Sequence, residues 1–197
     1  MLAARPHGES AAVLELFTSE HGRHLGLVYG GQSPKRRASL QPGNAVEAKW
    51  RGRLPEHLGS FTLELLFAHA ARLLDEPLRL LALSAAMALL SAGLPECEPA
   101  PDLFAATQGL LAALDEGDRW APHYMVWEHR LLAALGFGLP RGVESDVRAG
   151  LRLTGRILLR EVLAPQGRGL PAARKRLAIL LERAGAEVPA ASAAWAR

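Results

Sequence analysis

A change in hydrophobic periodicity near residue 67 divides the chain into two parts that cannot fold alike. Before this point, apolar and polar side chains alternate in short runs separated by Gly and Pro, which is typical of β-strands. After it, apolar residues recur every three or four positions, as they do on amphipathic helices. Ala and Leu supply 72 of the 197 residues, whereas Ile and Val supply 10, so most of the chain favours helix. The sequence therefore predicts an α+β protein with its strands first.

The strand pattern of the first part predicts four short antiparallel strands, over 11–18, 24–31, 45–52 and 60–67. The first two form a hairpin around Gly22. The polar segment 32–44, which contains Pro34, Pro42 and Gly43, is predicted to be a loop. Four short strands do not easily close a barrel, so a fifth strand either comes from 1–4 or is missing.

The second part predicts five helices, over 68–94, 101–117, 122–138, 145–163 and 171–184. Pro77 suits the first turn of a helix, and Asp75 before it is an acceptable N-cap. Two domains follow from this division, a β domain over 1–67 and a helical domain over 68–185. Residues 186–197 are expected to form a flexible tail.

Several classes of protein are excluded by what the sequence lacks. It has neither an apolar signal core nor a run of about 18 apolar residues, so the chain is expected to be neither secreted nor membrane-spanning. Its one cysteine, Cys97, allows no internal disulfide and no four-cysteine zinc site, and fits a reducing cytoplasm. Glu20, His21 and His24 lack a further cluster of ligands. Phosphate-loop, nucleophile-elbow and HExxH motifs are also missing, so we predict no enzyme activity, no metal and no cofactor.

The net charge of +3 is unevenly distributed, with +2 over 1–66, −5 over 67–140 and +6 over 141–197. A basic end of this kind indicates a polyanionic partner. The candidate side chains for nucleic-acid binding form four sets. One lies in the polar loop, and one lies at alternate positions of a strand and therefore on one face of it. The other two lie at every fourth position of the fourth helix and at the start of the fifth helix. The candidates are Lys35, Arg36 and Arg37, then Lys49, Arg51 and Arg53, and finally Arg148, Arg152, Arg156, Arg174, Lys175 and Arg176.

Two of the basic sets have an alternative interpretation that the residues alone leave open. The loop set fits a solvated run of charges equally well. The stripe on the fourth helix, which Arg160 continues, fits ion pairing with the acidic middle of the chain. Trp50, on the strand that carries Lys49 and Arg51, is expected to lie in the core rather than to stack on bases.

Four segments in the same order carry a family likeness, over 4–33, 39–53, 131–140 (LLAALGFGLP) and 151–177. Together they resemble the RecO family of DNA repair proteins. The resemblance implies an N-terminal OB-fold followed by a helical domain, without enzyme activity. It also implies binding to single- and double-stranded DNA, annealing of strands, and cooperation with RecR and single-stranded-DNA-binding protein in loading RecA during recombinational repair.

The chain departs from the family pattern at two places. The resemblance implies a longer first stretch that contains the first strand of the OB-fold, of which only 1–4 are expected to remain, and a shortened barrel would expose strand edges. A segment of roughly 45 residues is expected after Pro140 from the usual size of the family, and it is missing here. Many relatives carry a Cys-rich zinc-binding insert in that segment. Because this chain lacks the segment, the resemblance implies no zinc site here. The alternative function is a helical protein-interaction scaffold, or a degraded RecO paralogue, without DNA binding.

Overall fold

A computed structural model describes residues 1–53, 58–117, 119–138 and 146–183. Within these ranges a five-stranded sheet comes first, with one short helix between its strands, and the other helices follow, which confirms the predicted α+β class. The strands are β1 (Ala3–His7), β2 (Ala11–Thr18), β3 (Gly22–Val28), β4 (Ala45–Arg51) and β5 (Gly59–Phe67). The fifth strand, which the sequence left either at 1–4 or missing, is therefore present as β1.

The sheet has the strand order β1-β2-β3-β5-β4. Neighbouring strands are antiparallel except β3 and β5, which run parallel where Gly26 faces Gly59. The two edge strands approach each other, because the Gly43 N–H, two residues before β4, donates to the Met1 carbonyl at 2.9 Å. The sheet thus curls into the partly open barrel that is typical of an OB-fold.

The inward face of the barrel is apolar. Leu14, Leu16, Val28 and Phe61 are buried there, and Trp50 packs half-buried against them, as predicted. Since side chains alternate along a strand, this inward set fixes which residues of β4 point outward.

The helices are α1 (Pro34–Ser39), α2 (His69–Arg72), α3 (Pro77–Gly93), α4 (Pro101–Glu116), α5 (Trp120–Ala134), α6 (Val147–Ile157) and α7 (Ala172–Arg183). A π-helical turn over Leu158–Leu163 and a short 3₁₀ turn over Ala164–Gln166 extend α6. The core of this part surrounds α3, whose buried side chains include Ala82, Ala86, Leu89 and Leu90.

Three details of the helix prediction were wrong. Residues 34–39 of the predicted loop form α1, because Pro34 in its first turn has the backbone angle that a helix needs. The predicted helix 68–94 is broken into α2 and α3, since Pro77 cannot donate the hydrogen bond that would continue α2. The N-cap of α3 is Glu76, which makes no side-chain capping bond, rather than Asp75. The predicted tail, 186–197, lies outside the described residues.

The helices pack against the hairpin end of β2 and β3. The rings of Phe17 and Phe104 meet edge to face with their centroids 5.5 Å apart. Arg23 donates to the Leu94 carbonyl at 2.8 Å and pairs with Glu15 at 2.6 Å, and Glu15 also accepts from Ser91 at 2.8 Å. The outer face of the sheet is therefore covered at this end. No helix in the described ranges is long and apolar enough to cross a membrane.

Candidate nucleic-acid interface

The outward face of β4 carries two of the predicted cations. Lys49 and Arg51 are exposed, whereas Val46, Ala48 and Trp50 between them pack inward. The register pairs Lys49 with Thr62 and Arg51 with Ser60 on β5. Directly opposite residues share a face of an antiparallel pair, so each cation stands beside a hydroxyl. Within the described ranges neither cation has an ion-pair partner, which leaves both available to an anion.

The same outward face continues across the neighbouring strands. Leu27 of β3 is level with Ser60, and Val13 of β2 is level with Leu27. Tyr29 directly follows β3 and its side chain is 71% exposed. The sequence analysis did not select Tyr29. Its place two residues after Leu27, at the outward positions of the strand, was the signal that could have found it.

Arg53 and the α1 set extend the positive surface at two ends. Arg53 is exposed two residues beyond the end of β4. Arg36 and Arg37 are exposed on α1, where Lys35 also lies, although its side chain is outside what the structure describes. The Gln32 side-chain amide donates to the carbonyls of Gly8 and Ala11, each at 2.9 Å. This link holds the start of α1 beside the turn between β1 and β2.

A second positive surface lies on α6. The Asp146 carboxylate caps this helix by accepting from the N–H groups of Arg148 and Ala149 at 2.9 and 3.2 Å. Arg152 and Arg156 are exposed, as is Arg160 on the π-helical turn, whereas Arg148 is half-buried and has an interaction of its own. Among the described residues none of the three exposed arginines pairs with a carboxylate. For these three arginines, the alternative of pairing with the acidic middle of the chain is not seen within the described ranges.

Arg174 is not part of any binding surface, and its prediction as a DNA contact was wrong. Its side chain is 2% exposed and its guanidinium makes two hydrogen bonds to the fully buried carboxylate of Glu128. It also donates to the Leu151 carbonyl at 2.8 Å. Burial by itself lowers the pKa of Arg174, but the charge of Glu128 raises it above its ordinary value. Arg174 shares the inward face of α7 with the buried Leu177 and Leu181, whereas Lys175 and Arg176 are exposed.

The hairpin histidines do not form a metal centre. No group of three or more His, Cys, Asp or Glu side chains in the described ranges is placed to hold a metal ion. His24 instead contacts Cys97, with its Nδ1 atom 3.2 Å from the sulfur, and packs edge to face on Trp50. Burial, followed by the charge of His21, lowers the pKa of His24.

An apolar groove between α4 and α5 was also missed by the sequence analysis. Its cavity measures about 340 Å³ and is lined by residues that include Leu110, Val126 and Trp127, with His123 and Arg130 among its polar members. The lining comes from two helices, so no single stretch of sequence displays it.

Comparison with known proteins supports the resemblance. A family model described as "Recombination protein O N terminal" matches residues 1–67, and "Recombination protein O C terminal" matches residues 74–141. The DNA repair protein RecO of Rhodospirillum rubrum is 41% identical over 93% of this chain and 94% of that protein. The chain belongs to the RecO family. The RecO proteins of Rhodospirillum centenum and Dinoroseobacter shibae are 56% and 42% identical, over 72% and 82% of this chain and 56% and 69% of theirs.

The alignment with the Rhodospirillum rubrum RecO also bears on the missing segment. It spans 237 positions but holds about 183 residues of this chain, so more than fifty positions are filled in the relative alone. This chain therefore lacks a number of residues close to the predicted size of the missing segment. Its position after Pro140 stays a prediction, with which the end of the second family match at residue 141 agrees.

Proposed function

We propose that this RecO-family protein is a non-enzymatic DNA-binding mediator of recombinational repair. One observation carries the proposal: Lys49 and Arg51 stand exposed and without ion-pair partners on the outer face of an OB-like sheet, within the described ranges. Nucleic-acid strands bind such faces through their phosphates. Contacts of this kind position a strand without reading its sequence, so both single- and double-stranded DNA qualify as partners.

The two positive surfaces suggest how strands are annealed. The surface on the sheet comprises Lys49, Arg51 and Arg53, with Lys35, Arg36 and Arg37 on α1. The helical surface comprises Arg152 and Arg156 on α6 and Lys175 and Arg176 on α7, with Arg148 beside them. We assign one DNA strand to each surface, which brings two strands together on one molecule. The β domain over 1–67 and the helical domain over 68–185 are the proposed units.

The proposed role is to help RecR load RecA on single strands, and the proposed protein partners are RecR and, coating those strands, single-stranded-DNA-binding protein. The groove between α4 and α5 suits the acidic, apolar tail of the last of these, because it sets the cation Arg130 beside apolar lining, although Asp102 also lines it. Arg130→Glu is expected to weaken binding of a labelled tail peptide in fluorescence anisotropy. The charge reversal Arg176→Glu on α7 serves as the control and leaves the peptide affinity unchanged. The proposed location is the cytoplasm, at the nucleoid.

Salt dependence of binding to a single-stranded oligonucleotide tests the proposal. Neutralising phosphates releases counterions, and each lost contact lowers the slope of log K against log salt by about 0.7. The double variant Lys49→Gln/Arg51→Gln is expected to lower the slope by about 1.4, and Lys35→Ala/Arg36→Ala/Arg37→Ala by about two. Arg183→Gln, an exposed cation at the end of α7, is the matched control and leaves the slope unchanged.

Two outcomes would contradict the proposal. If the wild-type protein shows no salt-dependent binding, the interaction-scaffold alternative replaces DNA binding. If the wild-type protein binds but both variants keep its slope, the cations of the sheet surface are not the contacts.

A further inference from the structure

Tyr29 is an exposed aromatic residue directly after β3, one strand of the sheet whose outer face we assign to DNA. Its 71% exposure is higher than that of Leu74, at 69%, or Leu66, at 61%. It follows β3 at a position that continues the outward register of Leu25 and Leu27. Aromatic rings usually bury most of their surface, and this one lies open.

The backbone that carries Tyr29 is fixed by hydrogen bonds. The Gly31 N–H donates to the Val28 carbonyl at 3.3 Å, and the Ser33 N–H donates to the Gly30 carbonyl at 3.1 Å. Gly30 adopts a φ of 67°, which lets the chain turn immediately after the tyrosine. The ring is thus presented on a closed turn rather than on a free loop.

Candidate cations lie on two elements near β3. Leu27, two residues before Tyr29, is level with Ser60 of β5, which pairs with Arg51 of β4, and Lys49 is the next outward residue of that strand. Two strand spacings, about 10 Å, separate β3 from β4. Along the chain, α1 begins five residues after Tyr29 and carries Arg36 and Arg37.

We propose that Tyr29 is a base-stacking platform that makes the sheet surface prefer single strands to duplex. This inference rests on the proposed DNA binding and names the form of DNA that the site takes. With exposed cations on β4 and α1, a strand could lay a base on Tyr29 while its phosphates meet Lys49 and Arg36. Every base has a face to stack, so the contact tolerates any sequence. In a duplex these faces are already stacked and are not offered to the ring.

Three DNA probes separate stacking from phosphate binding: a strand of thymidines, an abasic strand of equal length, and a duplex. At one salt concentration the wild-type protein is expected to bind the thymidine strand more tightly than the abasic strand. Tyr29→Ala is expected to weaken binding of the thymidine strand about five- to a hundredfold, the range reported by alanine substitution at stacking sites. Its affinities for the abasic strand and the duplex stay unchanged, as does the salt slope.

Two matched variants act as controls, and two results overturn the inference. Tyr29→Phe keeps the ring and is expected to bind as the wild type does. Leu74→Ala removes an exposed apolar side chain between α2 and α3 and is expected to leave all three affinities unchanged. Equal wild-type affinity for the thymidine and abasic strands overturns the stacking role, as does an equal loss on all three probes in Tyr29→Ala. Failure of the wild-type protein to bind any probe would instead contradict the proposed function itself.

Discussion

The charged groups of Arg174 and Glu128 are buried together, and burying either charge without the other would cost free energy. Their charges are compensated by paired hydrogen bonds, and Thr154 donates a further one to Glu128. Arg174→Ala is expected to destabilise the protein by about 3–5 kcal/mol, because it leaves a buried carboxylate without its cation. Urea unfolding measures this loss.

Two further variants define that experiment. The exposed neighbour Lys175→Ala is expected to stay within about 0.5 kcal/mol of the wild type. Replacing both charges, in Glu128→Leu/Arg174→Met, is expected to restore much of the stability, since no charge is left unpaired. A loss for Arg174→Ala no larger than that for Lys175→Ala would contradict the buried ion pair.

His24 makes the stability of the barrel depend on pH. Burial and the charge of His21 lower the pKa of His24 from 6.5, with Glu96 opposing them, so the folded protein favours the neutral ring. This stabilisation is complete above pH 6.5 and is lost as the pH falls through the lowered value. His24→Gln is expected to flatten the fall in unfolding free energy below pH 6.5, whereas His7→Gln, an exposed histidine, keeps the wild-type profile. An equally steep fall in His24→Gln would contradict this role.

The residues of the site were predictable where local rules decide them. Alternation along β4 is enough to place Lys49 and Arg51 outward once Trp50 is taken as core. Arg174 failed because its partner, Glu128, lies 46 residues away in the sequence, and nothing near Arg174 marks it as buried. Tyr29 was missed although alternation with Leu27 marks it as outward, because an outward position does not by itself show whether the helices cover it.

Among the elements, β3, β4 and β5 pack so closely that two glycines leave no room for a side chain. A Cβ atom on Gly59 would lie 2.4 Å from a ring carbon of Trp50 and 2.5 Å from the Arg51 carbonyl oxygen, and one on Gly26 would lie 2.6 Å from the Phe61 ring. Gly59→Ala is expected to cost about 1–3 kcal/mol in denaturant unfolding, as overpacked cores do. Gly169→Ala, which meets open space, is the control. Equal stability of the two variants would contradict the close packing.

Element boundaries in the sheet followed from the sequence except for β3, predicted over 24–31 and observed over Gly22–Val28. The β2–β3 hairpin was also predicted, but the other pairings were not. The observed β2 matches the predicted 11–18, and β4 and β5 differ from their predictions by one residue at an end. Alternation is a local signal, so it finds strands without saying which of them pair. The parallel β3–β5 contact and the π-helical turn after α6 depend on tertiary packing.

At the scale of the whole molecule, one ion cluster joins the sheet to the helices. Glu15 is 4% exposed and is held by Arg23 and Ser91, and Arg23 also donates to the Leu94 carbonyl. Arg23→Ala is expected to uncouple the two parts, because it leaves Glu15 buried without its strongest partner. Hydrogen exchange with mass spectrometry should then show strand peptides opening at lower denaturant than helix peptides. In the control Glu47→Gln, an exposed change on β4, strand and helix peptides should open at the same denaturant concentration. If they also open together in Arg23→Ala, the coupling is contradicted.

This packing also decides which part of the sheet can meet DNA. The helices cover the hairpin end of β2 and β3, whereas Tyr29, Lys49 and Arg51 lie toward the other end and are exposed. The sequence predicted the sheet, the helices and most of the candidate cations, but not the end of the sheet that the helices cover.

Photo-cross-linking tests the central claim, that a DNA strand lies across the outer face of this sheet. A single strand containing iodouracil is irradiated with the wild-type protein, and the cross-linked peptides are identified by mass spectrometry. We predict cross-links at Tyr29 and within 45–53, and their loss in Tyr29→Ala/Lys49→Gln/Arg51→Gln. Cross-links confined to α4, α5 and α6, and unchanged in that triple variant, would contradict the account.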